Sequence, residues 1–445
     1  MPNKSFWDRI PLPALIGGWV AVVLLGVLLV FTQFFNNSSG SSAQSAPTKI
    51  AGAPVASPVP QSTKVPKPTS NVPQPTPTIP ALQDPSFGYG IQADFLNGDS
   101  EYDMTQVGRL RMGWVKQQMR WGVFSPAKDQ FDWSGFDRVI NAAAANNKAP
   151  KVMLSIVTAP QWSHPNLQAT TDDPEAINGP PDDLNEYAKF VGQVVDRYPG
   201  KIHAIEIWNE QNIDAEWRTT PQVVSPEKYV EMLKLAYQTI KAKDPNIVVI
   251  SGALAPTGYF VGGCTEAGCD DGPYLKRMVD AGLLQTVDCV GVHANGYNVP
   301  PDKSISDNYA DPSATFKGPF ENRIPSWYFR STLELYRDTV QNQKPLCVTE
   351  FGWASNDGFD AVVPGYEFAS DNTQQEQADW IVQAFTLMKD WGYVKMAFLF
   401  NLDYAQKSPK GASDRTAGWS IMGLDGTARP AFEKLRLFMK ELRGE

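Results

Sequence analysis

From Phe87 to the C-terminus, compact apolar runs rich in branched residues alternate with longer stretches whose apolar positions recur every three or four residues. The first pattern fits strands buried on both faces, and the second fits amphipathic helices packed over them. Eight runs read as strands: FGYGIQADF (87–95), MGWVKQQMRW (112–121), KVMLSIVTA (151–159), IHAIEIWNE (202–210), IVVISGALA (247–255), VDCVGVHA (287–294), PLCVTEFGW (345–353) and VKMAFLFNL (394–402). Helical stretches fill the gaps, among them DLNEYAKFVGQVVDRY, SPEKYVEMLKLAYQTIKAKDP, STLELYRDTVQNQ, TQQEQADWIVQAFTLMKDW and RPAFEKLRLFMKEL. In the second of these, Ser225 is placed to cap, Pro226 takes the first helical position and Glu227 lies in the first turn. Eight strands, most followed by a helix, in about 360 residues is the arithmetic of an α/β fold of the (β/α)8 TIM-barrel class. An open doubly wound sheet is the competing architecture, and no GxGxxG turn supports one.

The pattern before Phe87 is different. Residues 14–31, ALIGGWVAVVLLGVLLVF, carry no charge and are long enough to span a bilayer. Lys4 and Arg9 precede the run, which orients the N-terminus to the cytoplasm and the remainder outside. A cleaved signal peptide is the alternative, although such apolar cores are usually shorter. Residues 36–85 are rich in Ser, Pro, Thr, Ala and Gln and too poor in apolar residues to fold, so they read as a disordered, semi-rigid linker. The expected organisation is therefore a cytoplasmic tip and transmembrane anchor over 1–35, a linker over 36–85 and a folded barrel over 86–445, outside the cell.

Composition narrows the partners. The chain has 445 residues, 42% hydrophobic and 20% charged, with a net charge of −9. A nucleic-acid partner is not expected, because phosphate contacts need clustered Lys and Arg. The three histidines, His164, His203 and His293, are far apart and lack ligand spacing, so neither a metal nor another cofactor is expected. No feature points to a protein partner. Cys264 and Cys269 flank a short loop in GGCTEAGCDDG, which fits a disulfide outside the cytoplasm; a short-spaced metal motif competes, without further ligands nearby. Cys289 and Cys347 lie in strand runs and read as small buried apolar residues.

Candidate chemistry sits at two strand ends. EIWNEQN (206–212) closes the fourth strand with Asn209 beside Glu210, and TEFGW places Glu350 at the end of the seventh. Polar groups of this kind are costly to bury without partners. In a barrel they reach the C-terminal face, where active sites are built. Strand alternation puts Glu206, Trp208 and Glu210 on one face, and aligns Glu350 with Val348 and Leu346. Two carboxyls facing each other across the mouth suit glycoside hydrolysis. On the second strand Lys116, Gln118 and Arg120 share a face. Because alternate strands fill one interior layer, Lys116 and Glu206 should form a buried pair beneath the site, within about 6 Å.

WNEQN and TEFGW resemble the acid/base and nucleophile motifs of clan A glycoside hydrolases, retaining (β/α)8 enzymes that include the cellulase-like family 5 and the β-xylosidase-like family 39. The likeness covers nearly all of residues 87–445. It implies Glu210 as general acid/base, Glu350 as nucleophile and Asn209 as the partner of a sugar 2-hydroxyl. Arg120 matches the clan's arginine near the nucleophile, and His293 its histidine on strand six. The tyrosine that follows that histidine is displaced here: HANGY puts Asn295 at the usual position and Tyr297 two residues later. The tryptophan that commonly ends strand eight is replaced by FLFNLDY, leaving Trp419 or Phe400 to floor the sugar site. Trp162 and Trp353, after strands three and seven, are further stacking candidates. The resemblance implies a membrane-anchored extracellular retaining glycosidase acting on β-linked oligo- or polysaccharides. A barrel that binds glycan or the cell wall without cutting, and a transglycosidase, are the alternatives.

Overall fold

The computed structural model describes residues 86–145, 149–168, 177–359 and 361–445. The expected anchor at 14–31 and linker at 36–85 lie outside these residues. Among the described residues no helix is long and apolar enough to cross a membrane.

Eight parallel strands form one sheet: β1 (Gly88–Gln92), β2 (Trp114–Arg120), β3 (Lys151–Val157), β4 (Ala204–Ile207), β5 (Val248–Ser251), β6 (Val290–Asn295), β7 (Leu346–Gly352) and β8 (Val394–Leu399). Every strand pairs with its sequence neighbours except across β5 and β6, and β1 pairs with β8. Closure between β5 and β6 rests on the Ile250–Cys289 bridge and on the Ser251 N–H donating to the Cys289 carbonyl at 3.3 Å, so the barrel is nearly closed. All eight sequence runs lie on these strands.

A helix follows each strand: α1 (Ser100–Leu110), α2 (Ser134–Ala145), α3 (Leu184–Arg197), α4 (Pro226–Lys243), α5 (Asp271–Asp280), α6 (Phe329–Thr339), α7 (Gln374–Trp391) and α8 (Pro430–Leu442). Local chemistry sets their starts. Ser225 Oγ accepts from the Lys228 N–H ahead of Pro226 in α4, and Thr373 with Glu376 forms a reciprocal capping box on α7. The outward residues of the strands, such as Ile205, Ile207, Val249 and Val292, pack against the inward faces of the helices in one continuous core.

Inside the barrel the lower end is filled by Trp114, Met153, Ala204, Ile250, Cys289, Cys347, Met396 and Phe398. Large side chains face small ones: a Cβ added at Gly90 would lie 2.4 Å from the Phe398 ring. Cys289 and Cys347 are fully buried, as expected, but they are also bonded to each other across β6 and β7, with Cα atoms 5.8 Å apart. Cys264 and Cys269 form the second disulfide, closing a two-stranded hairpin after β5.

Strict alternation fails at the two strand ends that matter most. β4 stops at Ile207, and Trp208 and Glu210 take positive φ values of 77° and 47°. Trp208 therefore does not share the interior with Glu206. It turns into the helical layer, 5.8 Å from the Tyr187 ring, and its indole N–H donates to the Glu216 carbonyl at 2.9 Å. On β7 the register against β6 jumps from Val292–Val348 to His293–Glu350, leaving Thr349 as the extra residue of a bulge. Leu346 and Val348 consequently lie in the outer core while Cys347 and Glu350 face inward, contrary to the expected alignment.

Candidate active site

The C-terminal mouth of the barrel opens into a cleft of about 530 Å³, lined by Arg120, Asn209, Glu210, Tyr297, Glu350 and Trp419 among others. The turn after β4 delivers two consecutive side chains, Asn209 and Glu210, into it. A regular strand would send them to opposite faces. Left-handed backbone in a bulky residue costs on the order of 1–3 kcal/mol and persists only where the surroundings fix it. Here the Trp208 N–H donates to the Ile156 carbonyl at 3.1 Å and the Glu210 N–H to the Ala253 carbonyl at 2.8 Å. Asn212 completes the clamp. Its amide donates to the carbonyls of Ala255 and Cys269 and accepts from the Ala255 N–H, tying the turn to the disulfide hairpin.

His293 stands between the two carboxyls. Its Nδ1 is 2.9 Å from Glu210 Oε1 and its Nε2 is 3.8 Å from Glu350 Oε1. Burial alone would lower the imidazole's pKa, but the Glu350 and Glu210 carboxylates outweigh burial and the opposing charge of Lys116, so the net direction is up. Glu350 also pairs with Lys116, whose Nζ lies 2.9 Å from Oε1 and 3.3 Å from Glu206 Oε2. The expected Lys116–Glu206 pair is thus present beneath the site, and both side chains are fully buried. Burial pushes the Lys116 ammonium down, and the charges of Glu206 and Glu350 more than reverse this. Glu206 in turn accepts from the Ala253 N–H at 3.2 Å. The Glu210 side chain keeps 26% of its surface exposed and Glu350 12%, so Glu210 is the better connected to solvent.

The remaining expected contacts divide. Asn209 lines the cleft with its Oδ1 accepting no hydrogen bond from the protein. Arg120 lines it too, held by Asn178 Oδ1 at 3.0 Å, but the cation paired with Glu350 is Lys116. Tyr297 lines the wall within an aromatic group, its ring 4.7 Å from that of Phe368. Burial pushes the Tyr297 hydroxyl's pKa up, with Tyr259, Tyr366, Asp271 and, least of all, Glu210 adding to it; burial also raises that of Tyr404, a cleft residue after β8 whose hydroxyl accepts from Gln92 at 2.9 Å and for which Glu350 is the foremost neighbouring charge. Sequence reading missed Tyr404; the quoted FLFNLDY, in which Tyr is the last residue, was the signal. Trp419 and Phe400 both line the cleft, with ring centroids 6.3 Å apart.

Two tryptophans do not reach it. Trp162 donates to the Ser125 carbonyl at 3.1 Å and packs edge-on against Trp121, because the turn Gln161–Ser163 directs it toward the helices. Trp353 is fully buried, donates to the Val299 carbonyl at 2.8 Å and packs on Phe329 and Trp380. Neither can stack on a sugar in this geometry.

Residues 84–251 match the model of glycosyl hydrolase family 10, a span that includes β1 to β5 and the Glu210 turn. Among solved structures, a family 39 glycoside hydrolase from Bacteroides cellulosilyticus WH2 is similar at 18% identity and TM-score 0.55, over 82% of this chain and 66% of that one. A family 39 β-xylosidase from Caulobacter crescentus shares 17% identity at TM-score 0.51, over 81% and 72%. The β-glycosidase BGL167 shares 13% identity at TM-score 0.55, over 81% and 98%. This chain therefore spans about two thirds of the family 39 structure from Bacteroides. The family 10 match over β1 to β5 and these likenesses across the barrel show a (β/α)8 fold similar to that of glycoside hydrolases, with two carboxyls brought to either side of His293 at its mouth.

Proposed function

We propose that the chain is a retaining glycosidase of β-linked glycans, working outside the cell and held at the membrane by residues 14–31. The observation that carries the chemistry is the placement of Glu210 and Glu350 on either side of His293. In the first step a Glu350 carboxylate oxygen bonds to the anomeric carbon while Glu210 gives its proton to the departing oxygen. When His293 Nδ1–H donates to Glu210 Oε1, Oε2 remains to carry that proton toward the cleft. In the second step water replaces the leaving group, Glu210 takes the water's proton, and Glu350 regains its charge. Asn209, with its free Oδ1, is placed to accept from the 2-hydroxyl, and Trp419 and Phe400 offer apolar ring faces to the sugar.

Two disulfides among four cysteines support an oxidising compartment, in keeping with export. The β-xylosidase named among the similar barrels makes xylosides a first choice of substrate. The test is sugar release by the full chain from β-glycans and aryl β-glycosides, with Glu350→Gln beside it. Activity lost in the variant is the expected result. Glycan binding without release from either protein would instead support a binding barrel.

A further inference from the structure

Lys116 lies one layer below the cleft lining, yet it touches the nucleophile of the mechanism above. Its ammonium is fully buried between two carboxyls, Glu350 at 2.9 Å and Glu206 at 3.3 Å, and it also donates to the Thr349 carbonyl at 3.2 Å. Thr349 is the extra residue of the β7 bulge, so the same irregularity that turns Glu350 inward also offers Lys116 a carbonyl. The three charges share one space. With Glu350 ionised the cluster carries one net negative charge. With Glu350 esterified by sugar, Lys116 is balanced by Glu206 alone.

We propose that Lys116 is a positioning residue that acts through Glu350 on the second half-reaction, drawing the electron pair back to the carboxylate as the sugar leaves. This rests on the retaining mechanism. In that half-reaction a water oxygen bonds to C1, its proton passes to Glu210, and the bond from C1 to the Glu350 oxygen breaks with its pair returning to that oxygen. Negative charge develops 2.9 Å from a fixed, fully buried ammonium, and such preorganised charge acts strongly where it is withdrawn from water. Glu206 keeps the ammonium charged through the interval when Glu350 is neutral. In the first half-reaction the same cation opposes the loss of charge from Glu350. Lys116 therefore speeds release at the expense of attack.

The test uses the full chain and a dinitrophenyl β-glycoside, whose leaving group needs no proton. Lys116→Met alone leaves Glu206 buried and unpaired, which endangers folding. The double variant Lys116→Met/Glu206→Gln removes both charges together. It should lose on the order of 10²-fold in kcat, the scale of losing one oxyanion donor. KM should fall in parallel, and the sugar–enzyme adduct should build up in intact-protein mass spectra. A double variant with reduced kcat, unchanged KM and no adduct would make Lys116 a structural ion only. Glu350→Gln separates the two ideas: if it retains wild-type turnover, or if the wild type cleaves nothing, the retaining mechanism fails and this inference with it.

Discussion

The two ends of the barrel interior are built from the same strands by the same inward alternation, yet they differ in kind. On β2, Trp114 faces the lower end and Lys116 the upper; on β4 the same holds for Ala204 and Glu206, and on β7 for Cys347 and Glu350. The lower end is an apolar plug tied by a disulfide, and the upper end is a network of charges. One step along a strand, two residues on β2 and β4 and three across the bulge of β7, changes packing into chemistry. Close packing below fixes the distances that the charges above depend on.

The largest expected effect breaks the upper end alone. Glu350→Gln should reduce turnover on the order of 10⁵-fold, as loss of a nucleophile does, while the melting temperature stays nearly constant. Glu210→Gln should cost about 10²–10⁴-fold with poor leaving groups and much less with dinitrophenyl glycosides. Steady-state rates against leaving-group pKa check both.

Breaking the lower end should reverse the pattern. Phe398→Ala should destabilise by roughly 3–5 kcal/mol in denaturant unfolding. Replacing Cys289 and Cys347 should cost about 4 kcal/mol, as expected for a bond spanning 58 residues. The loop of 5 residues closed by Cys264 and Cys269 should matter about half as much. In each case the folded fraction should keep kcat near the parent value.

Asp271 sharpens the contrast between buried carboxyls with and without a cation. Ser326 Oγ lies 2.7 and 2.8 Å from its oxygens, and among the described residues no ion pair reaches it, so burial pushes its pKa from 3.8 to about 6 despite the pull of hydrogen bonds from Ser326 and backbone amides. The folded form thus favours the protonated acid. The stability this contributes is complete below about pH 4 and is lost as pH rises through about 6, to a total of ~3 kcal/mol. Unfolding free energies between pH 4 and 7 should fall by that order in the parent and stay flatter in Asp271→Asn.

The smallest effect separates two tryptophans. Trp419→Ala should raise KM by about tenfold, on the scale of one aromatic contact. Trp353→Phe should leave KM alone and lower the melting temperature, because its indole only bonds Val299 inside the fold.

Periodicity made the strands readable, since each is apolar outward and bounded by turn residues; it also placed Glu210 and Glu350 at strand ends. The Lys116–Glu206 pair was readable because it lies where alternation is regular. What alternation could not show is where it stops. The positive φ of Trp208 and the bulge at Thr349 depend on hydrogen bonds to other strands, so the fates of Trp208, Val348 and Leu346 were misread. Trp353 and Trp162 were misplaced for a related reason, because a side chain just past a strand is aimed by its turn. Cys289 and Cys347 looked like packing residues because their partnership spans two strands far apart in sequence. The anchor at 14–31 remains a reading of hydrophobicity.

The most direct test of the account is to treat the full chain with a 2-deoxy-2-fluoro-β-glycoside of an accepted sugar and weigh its peptides. The expected result is one fluorosugar on the peptide containing Glu350, with time-dependent loss of activity. An active enzyme that forms no adduct and first releases the inverted anomer would contradict the double displacement and the role given to Glu350.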